Sequence, residues 1–169
     1  MTRIPRINCV IAFVIGCAAS IAFAADPADD ASIARGRYVT RISGCNDCHT
    51  PGYRESAGKV AESDWLTGSA VGFKGPWGVT YPSNLRLVAQ SMDEDTWVGY
   101  ARQPRRPPMP WFNLRDMTDD DLRATYRFMR SLGPQGSKAP DFAPPGIPVR
   151  TPWILFEPQN LPAKSAAAR

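Results

Sequence analysis

The chain has 169 residues, 20 lysines and arginines against 16 aspartates and glutamates, and one histidine, for a formal net charge of +4. That balance is weak, and no basic stripe with interleaved aromatics accompanies it, so nucleic acid is excluded as the natural partner. The length allows one domain and a short extension.

Residues 1–24 read as an export signal. Arg3 and Arg6 precede an apolar run from Cys9 to Ala24, and Ala22-Phe23-Ala24 has the small-x-small form of a cleavage site. The run is shorter than the roughly 20 residues a comfortable membrane span needs. Two alternatives stay open: a retained anchor, and a lipidated Cys17 following Val14-Ile15-Gly16, although the residues after it are apolar for a tether. Membrane association would then come through that lipid or through a partner. Cleavage after Ala24 leaves 18 basic against 16 acidic residues and only two cysteines, Cys45 and Cys48. The expected location is the periplasm.

The spacing of Ile33, Tyr38, Val39 and Ile42 predicts a helix over 30–43, running into the cysteines. Residues 50–90 carry turn punctuation every few positions and read as ordered loop, which needs something large and apolar to tie it down. Ser91-Met92-Asp93-Glu94 has capping-box form and predicts a short helix to Arg102. QPRRPPMPWFNL follows, with four prolines between Pro104 and Pro110, and is expected to be extended. Thr118 with Asp119, Asp120 and Asp121 opens a last helix that stops at Gly133-Pro134. From Pro134 onward lie eight of the seventeen prolines. The island Trp153-Ile154-Leu155-Phe156 is expected to pack back as a strap, and the final residues to be disordered. The expected division is therefore a signal (1–24), a domain (25–134) and a Pro-rich extension (135–169).

Gly44 to Gly52 reads GCNDCHTPG. Cys45-Asn46-Asp47-Cys48-His49 is C-x-x-C-H, the signature of c-type haem attachment. Cysteines three apart share a helical face and can both form thioethers to neighbouring porphyrin vinyl groups, while the next histidine reaches the iron. A zinc knuckle needs a second ligand pair that the chain lacks. A redox dithiol expects a βαβ setting, and no strand alternation is visible. A disulfide closing a two-residue loop restrains the unfolded chain very little.

With one histidine, the distal ligand is a methionine, a rarer group such as lysine, or absent. Met129 sits on the apolar stripe of the last helix and reads as core. Met92 reads as structural or surface, and Met117 as a staple before the Thr118 cap. Met109, between prolines in RPPMPW, is the residue expected on the iron, because stiff extended backbone holds a thioether at a fixed place. A His49/Met109 pair raises the potential relative to bis-histidine iron and leaves no open position, favouring electron transfer over catalysis.

Taken together, GRYVTRISGCNDCHT, FKGPWGVTYPSNL, DEDTWVGYAR and PPMPWFNLRDMTDDDLRATYRFMRSLGP make the chain resemble the class I c-type cytochromes. Within them it is similar to the haem domains of cytochrome c subunits of bacterial membrane-associated alcohol and aldehyde dehydrogenases. The resemblance spans about 36–134. It implies an all-α fold with long ordered loops, one covalently attached haem c, and N- and C-terminal helices that cross at Gly36 against Phe128. It also implies Met109 as distal ligand, and Trp77, Tyr81, Asn84 and Trp111 along the haem edge and propionates, with a propionate hydrogen bond from Trp111 or Tyr81. The implied partners are a dehydrogenase donor and a cytochrome or oxidase acceptor. Those subunits commonly carry three such domains and this chain has one C-x-x-C-H. Arg102, Arg105 and Arg106 would steer an acidic partner, neutralise propionates or simply be solvated. The expected role is an electron carrier and not an enzyme. A haem enzyme or ligand sensor with an open or displaceable distal site is the rival, and a structural haem subunit a third reading.

Overall fold

The structure, a computed structural model, describes residues 27–158. The expected signal, Cys9, Cys17 and the end of the chain lie outside them. Six helices are present: α1 (Pro27–Ile42), α2 (Cys45–His49), α3 (Leu85–Gln90), α4 (Glu94–Ala101), α5 (Trp111–Asp116) and α6 (Asp119–Ser131). Three short strands join them, β1 (Gly72–Gly75), β2 (Gly78–Thr80) and β3 (Trp153–Leu155). No helix among the described residues is long and apolar enough to cross a membrane.

The frame is α1 packed on α6. Gly36 is what allows it, because a Cβ there would stand 1.9 Å from the Ala124 carbonyl oxygen and 2.9 Å from Phe128 Cβ. The expected approach of the two helices is therefore a backbone contact, with Phe128 fully buried beside it. Arg35 closes the same seam with a two-pronged pair to Asp121, at 2.8 and 3.2 Å. Helix α6 starts where the sequence placed it: the Thr118 hydroxyl accepts from the Asp121 amide at 3.1 Å, satisfying one free N-terminal donor. Its inner face carries Leu122, Thr125, Phe128 and Met129 into a core shared with Trp65, Leu66 and Trp97. The Trp97 indole donates to the Leu122 carbonyl at 2.9 Å, so the core aromatic is also hydrogen-bonded. Met129 is buried there, while Met92 and Met117 pack against its edge.

Three expectations are refined. The fold is mainly helical, as expected, but not all-α, because it also carries a small sheet: β1 pairs antiparallel with β2 and parallel with β3, in the order β2-β1-β3. Strands of three or four residues are too short for alternation to register in a sequence. Residues 50–90 are likewise not loop throughout, since they hold β1, β2, a 3-10 turn at Glu62–Asp64 and α3. Helix α3 is capped by Asn84, whose side-chain oxygen accepts from the Leu87 amide at 3.1 Å. QPRRPPMPWFNL is not extended to its end, because α5 begins at Trp111. Proline restricts its own φ and the residue before it, so nothing after Pro110 opposes a helix. A smaller shift concerns α4, where Asp93 is the cap, accepting from the Thr96 amide at 2.8 Å.

The extension lies along the domain. Arg86, nearly buried, clamps its start by donating to the carbonyls of Ser63, Leu132 and Gly133 and to Gln135 Oε1. Ala143 forms a two-bond bridge with Val79, at 2.8 and 3.0 Å. That bridge needs Gly78, where a Cβ would stand 2.2 Å from the Ala143 carbonyl oxygen. Strand β3 then joins the sheet, with its side chains half-exposed.

Candidate haem site

A cavity of about 890 Å³ opens between α2, the 80–85 segment, α4 and the 104–109 loop. Cys48, His49, Tyr81 and Met109 all line it, so both expected iron ligands face one space. Phe73, Leu85, Trp97 and Leu114 add an apolar wall, as sites for large flat ligands usually show.

Helix α2 is held by a chain of short contacts. The Thr50 hydroxyl donates to Asn46 Oδ1 at 2.8 Å and accepts from the Leu66 amide at 2.8 Å, and the Gly68 amide donates to the His49 carbonyl at 2.8 Å. The imidazole is then fixed by one bond: Nδ1 lies 2.7 Å from the Ser83 carbonyl oxygen. A carbonyl can only accept, so Nδ1 carries the proton and Nε2 keeps its lone pair. Burial lowers the pKa of His49, which favours the neutral ring. A neutral imidazole with its second nitrogen donated to a carbonyl is how proteins orient a metal-binding histidine.

Cys45 and Cys48 bracket α2, and both are free thiols. Cys48 lines the cavity, while Cys45 packs at the edge of the core. Burial pushes the Cys45 thiol up to about 11 and raises that of Cys48 as well. A redox dithiol works the other way, with its attacking thiol held below the ordinary range. No group of three or more His, Cys, Asp or Glu able to hold a metal ion occurs among the described residues.

Met109 is presented by a proline loop in which the Pro107–Pro108 bond is cis. The Thr80 hydroxyl donates to the Pro107 carbonyl at 2.8 Å, tying the loop to β2. Of the three arginines singled out in the sequence, Arg105 and Arg106 line the cavity and Arg102 does not. Arg102 is spent on Asp119, at 2.5 Å, and on the Met117 carbonyl. Arg105 stacks 4.3 Å from the Tyr100 ring centre and donates to the Tyr100 carbonyl at 2.6 Å. Arg106 stacks 4.0 Å from the Phe142 ring centre.

The remaining expected site residues divide. Tyr81 is on the cavity wall, its hydroxyl 2.5 Å from Thr151 Oγ1. Trp77, Asn84 and Trp111 are not among the lining residues. Trp77 sits on the β1–β2 turn against Phe156, and its buried indole N–H has no partner among the described residues. Asn84 uses its oxygen as the α3 cap and its amide on the Gln135 and Ser137 carbonyls, at 2.7 and 3.2 Å. Trp111 opens α5 with the Arg115 guanidinium 5.5 Å from its ring centre. Sequence reasoning missed Ser83, which acts through its carbonyl and so leaves no signature. It also missed Pro140 and Phe142, wall residues supplied by the extension.

The donor set suits a haem: an oriented imidazole and a thioether face one apolar cavity, with two thiols on the helix that carries the histidine. No family model and no solved structure matches the chain. It is 29% identical, over 153 residues, to the cytochrome c subunit of the alcohol dehydrogenase (quinone) of Gluconobacter oxydans (strain 621H), covering 82% of this chain and 30% of that protein. The corresponding subunit of Komagataeibacter europaeus is 30% identical over 149 residues, covering 78% of this chain and 30% of that protein. The gluconate 2-dehydrogenase cytochrome c subunit of Pantoea cypripedii is 26% identical over 167 residues, covering 87% and 34% respectively. The chain spans about a third of the length of these curated relatives. Over most of its own length, then, it is similar to one stretch of the cytochrome c subunits of alcohol and gluconate dehydrogenases.

Proposed function

We propose that this chain is a c-type cytochrome with one haem, exported to the periplasm, which carries single electrons from a dehydrogenase toward the respiratory chain. The observation that carries this is the convergence of Cys48, His49 and Met109 on one cavity, with His49 Nδ1 already committed to the Ser83 carbonyl. Cys45 and Cys48 would tether the group by thioethers, and His49 Nε2 and the Met109 sulfur would be the residues that hold its iron. The group supplies, when bound, an iron that alternates between two oxidation states.

The chain's own residues do the rest. The Ser83 carbonyl holds the imidazole in one orientation and one tautomer. The Phe73, Leu85 and Trp97 walls keep water from the cavity, and the Thr80–Pro107 bond steadies the methionine loop. Tyr81, on the wall with its hydroxyl bonded to Thr151, would be the polar residue nearest a carboxylate at the cofactor edge. With both His49 and Met109 given to the group, the site would suit electron transfer and would leave no place for a substrate, so a larger assembly would supply the catalytic subunit. The names of the similar proteins support a dehydrogenase as that partner.

Intact-mass and absorbance measurements of the exported protein test attachment. The expected result is one covalent haem, lost when Cys45 and Cys48 are both replaced by alanine. Haem that dissociates from the wild type on denaturation would overturn the attachment. For the axial pair, the ferric protein should show the weak sulfur-to-iron charge-transfer band, and Met109→Ala should abolish it. Carbon monoxide binding tightly to the reduced wild type would favour an open distal site instead.

A further inference from the structure

The Met109 loop is the least self-supporting wall of the cavity. Pro104 to Pro110 lies between α4 and α5 and belongs to neither. What holds it comes from elsewhere in the chain. Thr80 bonds Pro107, Arg105 seats on Tyr100, and Arg106 seats on Phe142 of the extension. Arg106 is coupled directly to the methionine, since its carbonyl accepts from the Met109 amide at 3.3 Å.

Phe142 is itself firmly placed. Its neighbour Ala143 is bridged to Val79, and further back Arg86 and Asn84 clamp residues 132–137. The ring therefore belongs to a fixed rail, and it does two things at once. It closes part of the cavity wall, and it offers a flat face to the Arg106 guanidinium.

We propose that Phe142 and Arg106 are positioning residues that latch the Met109 loop shut, so that the Pro-rich extension governs how easily a foreign ligand replaces the methionine. This rests on the His49/Met109 reading above. Without the ring, Arg106 loses its seat and the loop loses one of its three ties, so states with the sulfur displaced become more populated. A displaced state is what an added ligand captures, and its apparent affinity rises in proportion to that population.

The test uses the ferric, haem-loaded full chain titrated with imidazole, following loss of the sulfur-to-iron band. Phe142→Ala and Arg106→Gln should each lower the imidazole concentration at half-loss by about fivefold, the weight of one partly exposed cation–ring contact. Phe142→Leu, which keeps the apolar cover but not the ring face, should move the same way. Phe156→Ala is the control, because Phe156 lies on the same strap but packs on Phe73 and Trp77. It should leave imidazole binding unchanged even if it lowers thermal stability. Wild-type imidazole affinity in Phe142→Ala and Arg106→Gln overturns the latch, and so does an equal gain in Phe156→Ala. A band missing from the wild type, or surviving Met109→Ala, overturns the ligation reading and the latch together.

Discussion

The two sides of the cavity are built in different ways. On the histidine side, α2 is knitted to its neighbours by Thr50, Leu66 and Gly68, and the ring is set by one carbonyl, 34 residues away. On the methionine side, Met109 sits in a loop whose supports come from β2, from α4 and from the extension. The first arrangement is a short unit with most of its buried polar groups hydrogen-bonded, the Asn46 side-chain nitrogen being without a partner among the described residues. The second is a flap pinned at its rim by a few contacts, each worth little alone. Dense internal bonding on one side and a few rim contacts on the other mean that damage to the first should cost stability, and damage to the second should cost ligation.

The largest expected effect lies behind both sides. Arg86→Leu strips the donors from Ser63, Leu132, Gly133 and Gln135 and frees the start of the extension. Leaving several acceptors near the interior unpaired should cost about 2–4 kcal/mol in chemical denaturation. Because the extension also carries Phe142, this variant should lose stability and gain imidazole binding together. It would be the one substitution that erases the difference between the sides.

A matched pair sharpens the contrast. Thr50→Val removes a hydroxyl that both donates to Asn46 and accepts from Leu66 in the interior, so about 1–3 kcal/mol of stability should go. The methionine band should stay. Thr80→Val removes a bond to Pro107 at the cavity rim, and about 0.5–1.5 kcal/mol is the most it should cost. Here the band should weaken and imidazole should bind more readily. Equal losses of the band in the two variants would mean that the two sides open as one unit.

How much of this was legible follows the same division. The histidine side is written locally, since C-x-x-C-H fixes spacing and residue type within five positions. Gly36 against Phe128 was expected only through the resemblance, whereas the Thr118 cap was legible directly because its chemistry is confined to one turn. Met109 could be singled out by its prolines, but its supports could not. Thr80 and Phe142 gain their roles from pairings across the fold, and a side chain's distant neighbours leave no mark on its own sequence. Trp77, Asn84 and Trp111 were named through the resemblance, and none of them lines the cavity: Asn84 caps α3, Trp77 packs on Phe156, and Trp111 lies under the Arg115 guanidinium. The sheet escaped notice for a related reason: β3 makes its partner from β1, some eighty positions earlier in the chain.

The smallest effect concerns charge, and it too separates frame from flap. The ion pairs of the frame, Arg35 with Asp121 and Arg127 with Glu94, join helices. The flap is held by rings and neutral carbonyls around Arg105 and Arg106. The hydrogen bonds from Arg35 hold the Asp121 carboxyl below its usual range. A carboxyl with a lowered folded-state pKa stabilises fully above its unfolded pKa, about 3.9, and loses that contribution as pH falls through the lower folded value. Asp121→Asn should therefore cost about 0.2–1 kcal/mol between pH 5 and 8, the range for a largely exposed pair, and the gap to wild type should close in stronger acid. Imidazole displacement of the methionine, measured in the same variant at neutral pH, should not move, because no frame ion pair reaches the flap. A shift in that titration would show that the α1–α6 seam and the methionine loop are coupled after all, and that the pinned side borrows its order from the rigid one.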